Sequence, residues 1–333
     1  MNKNASHLLV QVDLDNLWAV KEVYGLPVSA DDVERDALFE ESMRWFLDAF
    51  SQLKINATFF VIGKDCEVPA KADLLKQAVA AGHEIACHSY HHRIGLGSLP
   101  PAELDAEITR AADAVEHAVG VRPLGFRAPG FDASPAVLQA VARAGFAYDS
   151  SMLPTYLGGA LRLASRLLNQ GGGSGAVKGH YGWGPVWKAP RTPYFPSLER
   201  PWLAEDKTNG LVELPVAVTW RLRLPVHASI GMALGWGISS RMLRGVLRER
   251  PDALVYTLHC VDVADVSASL GLKTSALGKR LFHQPVAEKR AFVWKALDLL
   301  TAETNAVTSL DYVRQKIRSD GLGRQDGRCG QKI

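Results

Sequence analysis

Two carboxylates one residue apart, Asp13 and Asp15, end an apolar approach in Leu8-Leu9-Val10-Gln11-Val12-Asp13-Leu14-Asp15-Asn16. On an extended strand the two-residue repeat sends both to one side, within reach of one site. Burying two carboxylates at a strand end is costly unless a cation or hydrogen bonds compensate. A second cluster is Gly82–His92, where His83, His88, His91 and His92 put four of the chain's ten histidines within ten residues. His88 and His92 are four apart, a spacing that sets two imidazoles on one face of a helical turn and suits a metal ion. His91 could pair with His88 instead, so spacing alone leaves the register open. Third, in Phe126-Arg127-Ala128-Pro129-Gly130-Phe131 an arginine able to grip a carboxylate with two N–H groups precedes a Pro-Gly turn. Fourth, Leu258-His259-Cys260-Val261-Asp262 offers a histidine whose ordinary pKa suits a general acid near neutral pH. Each piece has an ordinary explanation alone: a solvated turn, a polar loop, a surface charge, a core histidine. Their common placement, just beyond the C-terminal ends of strand candidates, is where barrels and open α/β sheets carry active sites.

The elements that must position these residues alternate. Strand patterns cover Leu8–Leu14, Ala57–Ile62, Glu84–Cys87, Leu124–Phe126, Ala147–Tyr148, Leu211–Val216 and Leu254–Leu258. Between them, helical spacing of apolar residues runs over Glu34–Leu53, Ala70–Ala81, Ala102–Val119, Pro135–Ala144 and around Arg241–Arg248. That order predicts a mostly parallel sheet covered by helices. Residues 151–210 break the pattern with Gly171–Gly175, several prolines and Trp183, Trp187 and Trp202. They read as a loop-rich insertion, and long loops in compact domains usually carry function or disorder. The expected organisation is one domain over residues 1–318 and a disordered Gly/Arg/Asp-rich tail at 319–333.

Composition narrows the classes. The chain has 333 residues, a formal net charge of +3, 47% hydrophobic and 22% charged residues. The charge is too small to point to nucleic acid, and no apolar run reaches the roughly 20 residues of a membrane span. Met1–Ser6 is polar and leads directly into Leu8-Leu9-Val10, without the apolar stretch of a secretion signal. Cys66, Cys87, Cys260 and Cys329 are far apart, so neither a disulfide framework nor a zinc ribbon is indicated. Strand alternation points Cys87 and Cys260 away from the histidines beside them and into the core. Gly171–Gly175 lacks the Gly-Lys-Ser/Thr that a phosphate loop requires, and Ser150-Ser151 lacks the context of a serine nucleophile. A cytoplasmic location is expected.

With Val12-Asp13-Leu14-Asp15, His88-Ser89-Tyr90-His91-His92, Arg127-Ala128-Pro129-Gly130 and Leu258-His259 in this order and spacing, and Ala57-Thr58-Phe59-Phe60-Val61 between the first two, the chain resembles the polysaccharide deacetylase family of metal-dependent carbohydrate N-deacetylases. The resemblance spans roughly residues 8–316. It implies a distorted (β/α) barrel with fewer than eight strands. It makes Asp13 the general base, Asp15, His88 and His92 the metal ligands, Arg127 the group that orients Asp13, the Gly130 N–H an oxyanion donor and His259 the general acid. The implied cofactor is a divalent metal, zinc first, with cobalt, nickel or iron as alternatives. Two departures stand out. The adjacent Asp-Asp commonest in the family is Asp-Leu-Asp here, a variant that also occurs, and the carboxylate–tryptophan motif that supports the acidic histidine is not evident. Asp149 or Asp262 could supply that support.

The implied reaction is removal of an N-acetyl group from an amino sugar, free, oligomeric or lipid-linked. The same machinery could instead act as a deformylase of a lipid-linked formamido sugar or on another amide such as a ureide, and a non-catalytic carbohydrate-binding descendant would need no base, acid and metal together. The basic, amphipathic Leu157–Leu168 and the arginines 221, 223 and 241 among apolar residues suggest peripheral contact with the inner face of the cytoplasmic membrane. A core-packed helix is the competing reading of Leu157–Leu168. The tryptophans could stack on sugar rings, although a buried aromatic is the commoner role. Oligomeric state, the sugar and its carrier are not legible.

Overall fold

The computed structural model describes residues 6–23, 26–158, 184–205, 210–265 and 284–319. Two-residue alternation builds its barrel. In β1 (His7–Asp13), Leu8, Val10 and Val12 enter the main core beneath the helices, while Leu9 joins a second cluster inside the barrel. In β7 (Ala253–His259), Leu254, Tyr256 and Leu258 face the helices and Ala253 and Val255 face inward. The same split places Phe59 and Val61 of β2 (Thr58–Val61) and Ile85 and Cys87 of β3 (Glu84–Cys87) outward, with Phe60 and Ala86 inward. Three two-residue strands follow, β4 (Gly125–Phe126), β5 (Tyr148–Asp149) and β6 (Val212–Glu213). Gly125 is needed at its position because a Cβ there would collide with the Tyr148 ring.

All pairings are parallel, in the order β6-β5-β4-β3-β2-β1-β7. Seven strands therefore form the wall of an incomplete (β/α) barrel, as the motifs implied. The two-residue β8 (Asn305–Ala306) pairs with the start of β1, off this path. Between β6 and β7 the wall is bridged by a backbone bond from Ala217 N–H to Val255 O, 3.2 Å.

Around the wall run α1 (Leu17–Val23), α2 (Ala30–Glu34), α3 (Ala37–Leu53), α4 (Pro69–Ala80), α5 (Pro101–Val119), α6 (Pro135–Arg143), α7 (Ala228–Leu234), α8 (Trp236–Arg248), α9 (Val286–Thr301) and α10 (Ser309–Ser319). The helical pattern expected over Glu34–Leu53 is split: Asp36 accepts the Phe39 N–H and caps α3, and Lys54 at φ 54° ends it. Leu38, Phe39, Met43, Phe46 and Phe50 form its buried face, each burial contributing about 1.5–3 kcal/mol. Helices α1, α2, α7, α9 and α10 are not apparent in the apolar spacing. In α9 the reason is Lys289, fully buried on the core face, where Nζ donates to Val261 O at 3.0 Å and Ala264 O at 3.1 Å.

Helix α10 closes the N-terminal end of the barrel with a polar plug. Ser309 N–H donates to Thr58 Oγ1 and Leu310 N–H to Glu84 Oε2, both at 2.9 Å, while Tyr148 donates to Glu84 Oε1 at 2.7 Å. Burial pushes the Glu84 carboxyl above its ordinary range, against the hydrogen bonds that favour its ionised form. Among the described residues no helix is long and apolar enough to cross a membrane. Most of Leu157–Leu168, all of Gly171–Gly175, Trp183 and Cys329 lie outside the described residues. The described parts of 151–210 are largely irregular, with a short turn at Val186–Lys188 and isolated bridges, yet Phe195 fills the barrel interior.

Candidate active site

Strand direction and alternation bring the four sequence clusters to one end of the barrel. His88 continues the inward side of β3 after Glu84 and Ala86, and Asp15 lies two residues beyond β1. Ligand atoms of Asp15, His88 and His92 fall within 4.8 Å of one another. Asp15 Oδ1 is 3.3 Å from His88 Nε2 and 3.1 Å from His92 Nε2. That oxygen is buried without a hydrogen-bond partner, as is His92 Nδ1. Three donors of the types divalent metals take thus converge with an orphaned carboxylate oxygen among them, and the residues fit a divalent cation such as zinc. Burial opposes ionisation of Asp15, but His92 and His88 beside it hold its carboxyl well below the usual range. Burial likewise opposes charge on His88, yet Asp15 and Asp13 raise its pKa above the ordinary value.

The orientation of these ligands is built in. His88 Nδ1 lies 2.8 Å from Arg127 O; donation of its proton to that carbonyl leaves Nε2 free to face Asp15. The His88–His92 loop carries two non-glycine residues in left-handed backbone, Ser89 at φ 60° and His92 at φ 55°, conformations that need outside support. Glu107 of α5 supplies it. Its Oε1 accepts from Tyr90 N–H at 3.1 Å and His91 N–H at 2.6 Å, and its Oε2 is 2.8 Å from His91 Nδ1. His91 is therefore turned onto Glu107 and away from the triad, which resolves the register left open by spacing.

Asp13 ends β1 on the inward face. Arg127, fully buried, donates Nη1 to Asp13 Oδ1 at 2.6 Å. Its other nitrogens bond Gln11 Oε1, Ser150 O at 2.8 Å and Ser150 Oγ at 2.9 Å. The second oxygen, Asp13 Oδ2, is 3.6 Å from His259 Nε2. Asp262 grips His259 from behind: Oδ2 accepts the His259 N–H at 2.8 Å and lies 3.5 Å from Nδ1. Burial lowers the His259 pKa, but the Asp262 hydrogen bond and the Asp13 charge outweigh it and raise the value to about 9.

Asp262 therefore occupies the supporting position behind His259, and Asp149 does not. Asp149 Oδ1 accepts from Ser151 Oγ at 2.9 Å and Oδ2 from Ser151 N–H at 2.9 Å; Ser151 Oγ in turn accepts the Ala128 N–H at 2.8 Å. The β5 carboxylate thus braces the Arg127–Gly130 segment instead, because β5 lies beside β4, the strand from which that segment leaves, with β6 between it and β7. Gly130 turns at φ 65°, ψ 20°, a left-handed conformation that glycine takes without strain.

Besides Glu107 and Gln11, three further contributors were missed from sequence. Ser229 at the start of α7 donates to Asp262 Oδ1 at 2.7 Å and lies 3.4 Å from His259 Nδ1. His227 faces His259 with ring centroids 6.0 Å apart, and burial pushes its pKa down to about 4. Glu213, the register partner of Asp149 across β5 and β6, is fully buried. Burial and the charge of Asp149 raise its pKa well above the ordinary carboxyl range, and its Oε1 accepts the Met152 N–H at 3.0 Å. A single glutamate inside the apolar run Leu211–Val216 was the available signal for the last.

Comparison with known proteins agrees with this architecture. The family profile of the polysaccharide deacetylases matches residues 30–148. Peptidoglycan deacetylase of Helicobacter pylori is 28% identical over 144 residues, 43% of this chain and 48% of that protein. Chitooligosaccharide deacetylase of a Bradyrhizobium species is 37% identical over 102 residues, 30% of this chain and 45% of the relative. The aligned regions span about half the length of these relatives. A solved Mycobacterium smegmatis structure named as a polysaccharide deacetylase shares the fold, with a TM-score of 0.58 at 17% identity, covering 100% of this chain and 96% of that one. Asp13, Asp15 and His259 lie outside residues 30–148, so their place in the site rests on the barrel geometry.

Proposed function

We propose, from the match of the polysaccharide deacetylase family profile to residues 30–148, that the chain is a metal-dependent hydrolase removing the N-acetyl group of an amino sugar. One observation carries the reading: the convergent Asp15, His88 and His92 ligand atoms lie beside an Asp13 that faces His259 and is gripped by Arg127. Binding alone requires no such combination.

Asp15, His88 and His92 would hold the cation. A divalent ion there supplies Lewis-acid polarisation of the amide carbonyl and a water of lowered pKa. Asp13 accepts the proton of the attacking water through the oxygen that Arg127 does not bind. Arg127 fixes the carboxylate in that orientation by placing a guanidinium N–H on Oδ1. Attack turns the planar carbonyl into a tetrahedral oxyanion, toward which the Gly130 N–H contributes a backbone dipole. His259, protonated at neutral pH by its Asp262 and Asp13 partners, donates its Nε2 proton to the departing amine. Asp262 and Ser229 hold the ring by its Nδ1 side, so the donating nitrogen faces the site. An acid or base of this kind typically contributes on the order of 10²–10⁴ in rate.

The names of the matched relatives, a peptidoglycan and a chitooligosaccharide deacetylase, favour an N-acetylated hexosamine, free, oligomeric or carrier-bound. The test is acyl release by metal-stripped and zinc-reloaded protein from N-acetyl- and N-formyl-amino sugars, with acetate and formate measured separately. Zinc-dependent acetate supports the reading. Formate alone would make the enzyme a deformylase, and neither acid from any substrate, with zinc bound, would overturn it.

A further inference from the structure

Two stretches of this chain carry cations and no carboxylates. Residues 150–198, which follow β5, contain five Lys and Arg, and residues 214–248, which follow β6, contain five Arg; neither holds an Asp or Glu. The chain totals 38 Lys and Arg against 35 Asp and Glu. Its small net charge therefore conceals ten positive charges here and a surplus of seven negative charges elsewhere.

The described parts of both stretches meet at Arg223. Its Nη1 donates to Pro154 O at 3.2 Å and Ala189 O at 2.9 Å, and its carbonyl accepts from Thr155 Oγ1 at 2.7 Å. A backbone bond from Thr219 N–H to Leu224 O, 3.0 Å, closes a turn with Trp220, Arg221 and Leu222 at its tip. Trp220 and Leu222 are each 65% exposed, Tyr156 54% and Trp187 42%. The Tyr156 and Trp187 rings are 5.7 Å apart. Arg221 sits 5.5 Å from the centroid of Trp220 and Lys188 5.3 Å from that of Trp187. The turn is anchored below by Val218, which with Leu153 and Val216 packs against Phe131, the residue after Gly130.

We propose that this surface docks onto an anionic lipid bilayer, with Trp220 and Leu222 entering the interface and Arg221 and Lys188 meeting lipid phosphates. Tryptophan and tyrosine favour the headgroup level, where their rings are apolar and their polar edges stay wet. Clustered arginine and lysine add attraction to negative headgroups over a Debye length. A soluble anionic glycan would engage the same cations, but an exposed Leu222 gains only by leaving water. Through Val218 the turn packs against Phe131, the residue after Gly130, so docking brings that side of the site toward the interface. It does so whatever amide the site cleaves.

Vesicle flotation of the full chain tests the proposal. Vesicles of phosphatidylcholine with 30% phosphatidylglycerol, a composition chosen as on the order of natural anionic content, are compared with phosphatidylcholine alone. The wild type is expected to float with the anionic vesicles, weakly or not at all with the neutral ones, and less at high salt. Trp220→Ser with Leu222→Ser should lower the partition about tenfold or more, since it removes the inserted apolar groups. Arg221→Gln with Lys188→Gln should lower it by a similar factor on anionic vesicles. These side chains are exposed, so the variants should keep the wild-type circular dichroism and metal content. No flotation by the wild type, or equal flotation by the Trp220→Ser, Leu222→Ser variant, overturns the proposal. So does retention on a soluble sulfated glycan that this variant leaves unchanged while vesicles fail to bind.

Discussion

Asp13 and His259 are register partners at the ends of adjacent parallel strands, and their side chains face each other with Oδ2 3.6 Å from Nε2. The pair is fixed by the ladder between β1 and β7, not by a loop. If these two groups act in one reaction, their losses should not add. Asp13→Asn and His259→Gln are each expected to lower kcat by about 10²–10⁴, with the double variant little worse than the poorer single. Steady-state kinetics of all three, at measured metal content, would contradict the account if the effects multiplied in full.

The elevated His259 pKa gives a pH signature. In the metal-free protein the ring should titrate near 9, against an ordinary 6.5. A group whose pKa is raised by folding stabilises the native state fully below the unfolded value, and this contribution fades as pH rises through the folded one. Unfolding free energy from His259 is therefore lost between about pH 6.5 and 9. Asp262→Asn removes the leading favourable partner and should shift the ring titration downward by nuclear magnetic resonance. An unchanged titration in that variant would remove Asp262 from its supporting role.

Arg127 has no adequate substitute. Its guanidinium bonds Asp13, Gln11 and two oxygens of Ser150 with no solvent access. A lysine offers one point charge in place of that planar fork. Arg127→Lys should lower kcat by at least about 10², and Arg127→Leu, which strands Asp13, should cost about 3–5 kcal/mol in stability. Denaturant unfolding separates the two effects. A fully active Arg127→Lys would mean that the orientation of Asp13 is set elsewhere.

Glu107 positions the histidine loop without entering the triad. Glu107→Ala removes the acceptor of two backbone N–H groups under a loop with two left-handed residues. Zinc affinity is expected to fall about 10–100-fold, as for other groups that orient ligands. Glu107→Gln keeps one acceptor oxygen and should recover most of it. Competition titration with a chelating dye provides the readout, and equal affinity for all three proteins would sink the assignment.

Glu213, fully buried beside Asp149, predicts an asymmetry between two substitutions. Glu213→Gln keeps an oxygen to accept the Met152 N–H and should cost about 1 kcal/mol, whereas Glu213→Ala leaves that donor unsatisfied beside a cavity and should cost about 2–5 kcal/mol. Thermal unfolding of the two variants decides it; equal losses would mean that the Met152 bond contributes nothing.

Much of this site was legible because strand alternation is a sequence property. Asp13 shares the parity of Leu9 and Gln11, and His88 that of Ala86, so their inward direction follows once the strands are placed. The same parity sends Cys87 and Cys260 into the outer core, where both are fully buried. The support behind His259 was less legible, since it depends on which strands are neighbours. Asp149 has a suitable residue type and approximate position, yet β5 lies beside β4 and β6, and its carboxylate serves Ser151. Ser229 could not be found by spacing, because the start of α7 reaches the site from an otherwise unremarkable Ala228-Ser229-Ile230. Helix α9 was hidden by the buried Lys289, which interrupts the apolar period, and α10 because it buries only Ser309, Tyr312 and Val313.

The central claim is that Asp13 takes a proton from water beside a cation held by Asp15, His88 and His92. It is tested most directly by single-turnover acetate release from an N-acetylated chitooligosaccharide by zinc-loaded wild type and Asp13→Asn, with zinc quantified in both. The account predicts equal zinc, rapid release by the wild type and a rate lower by about 10²–10⁴ in the variant. Near-normal release by Asp13→Asn with its zinc in place would contradict it.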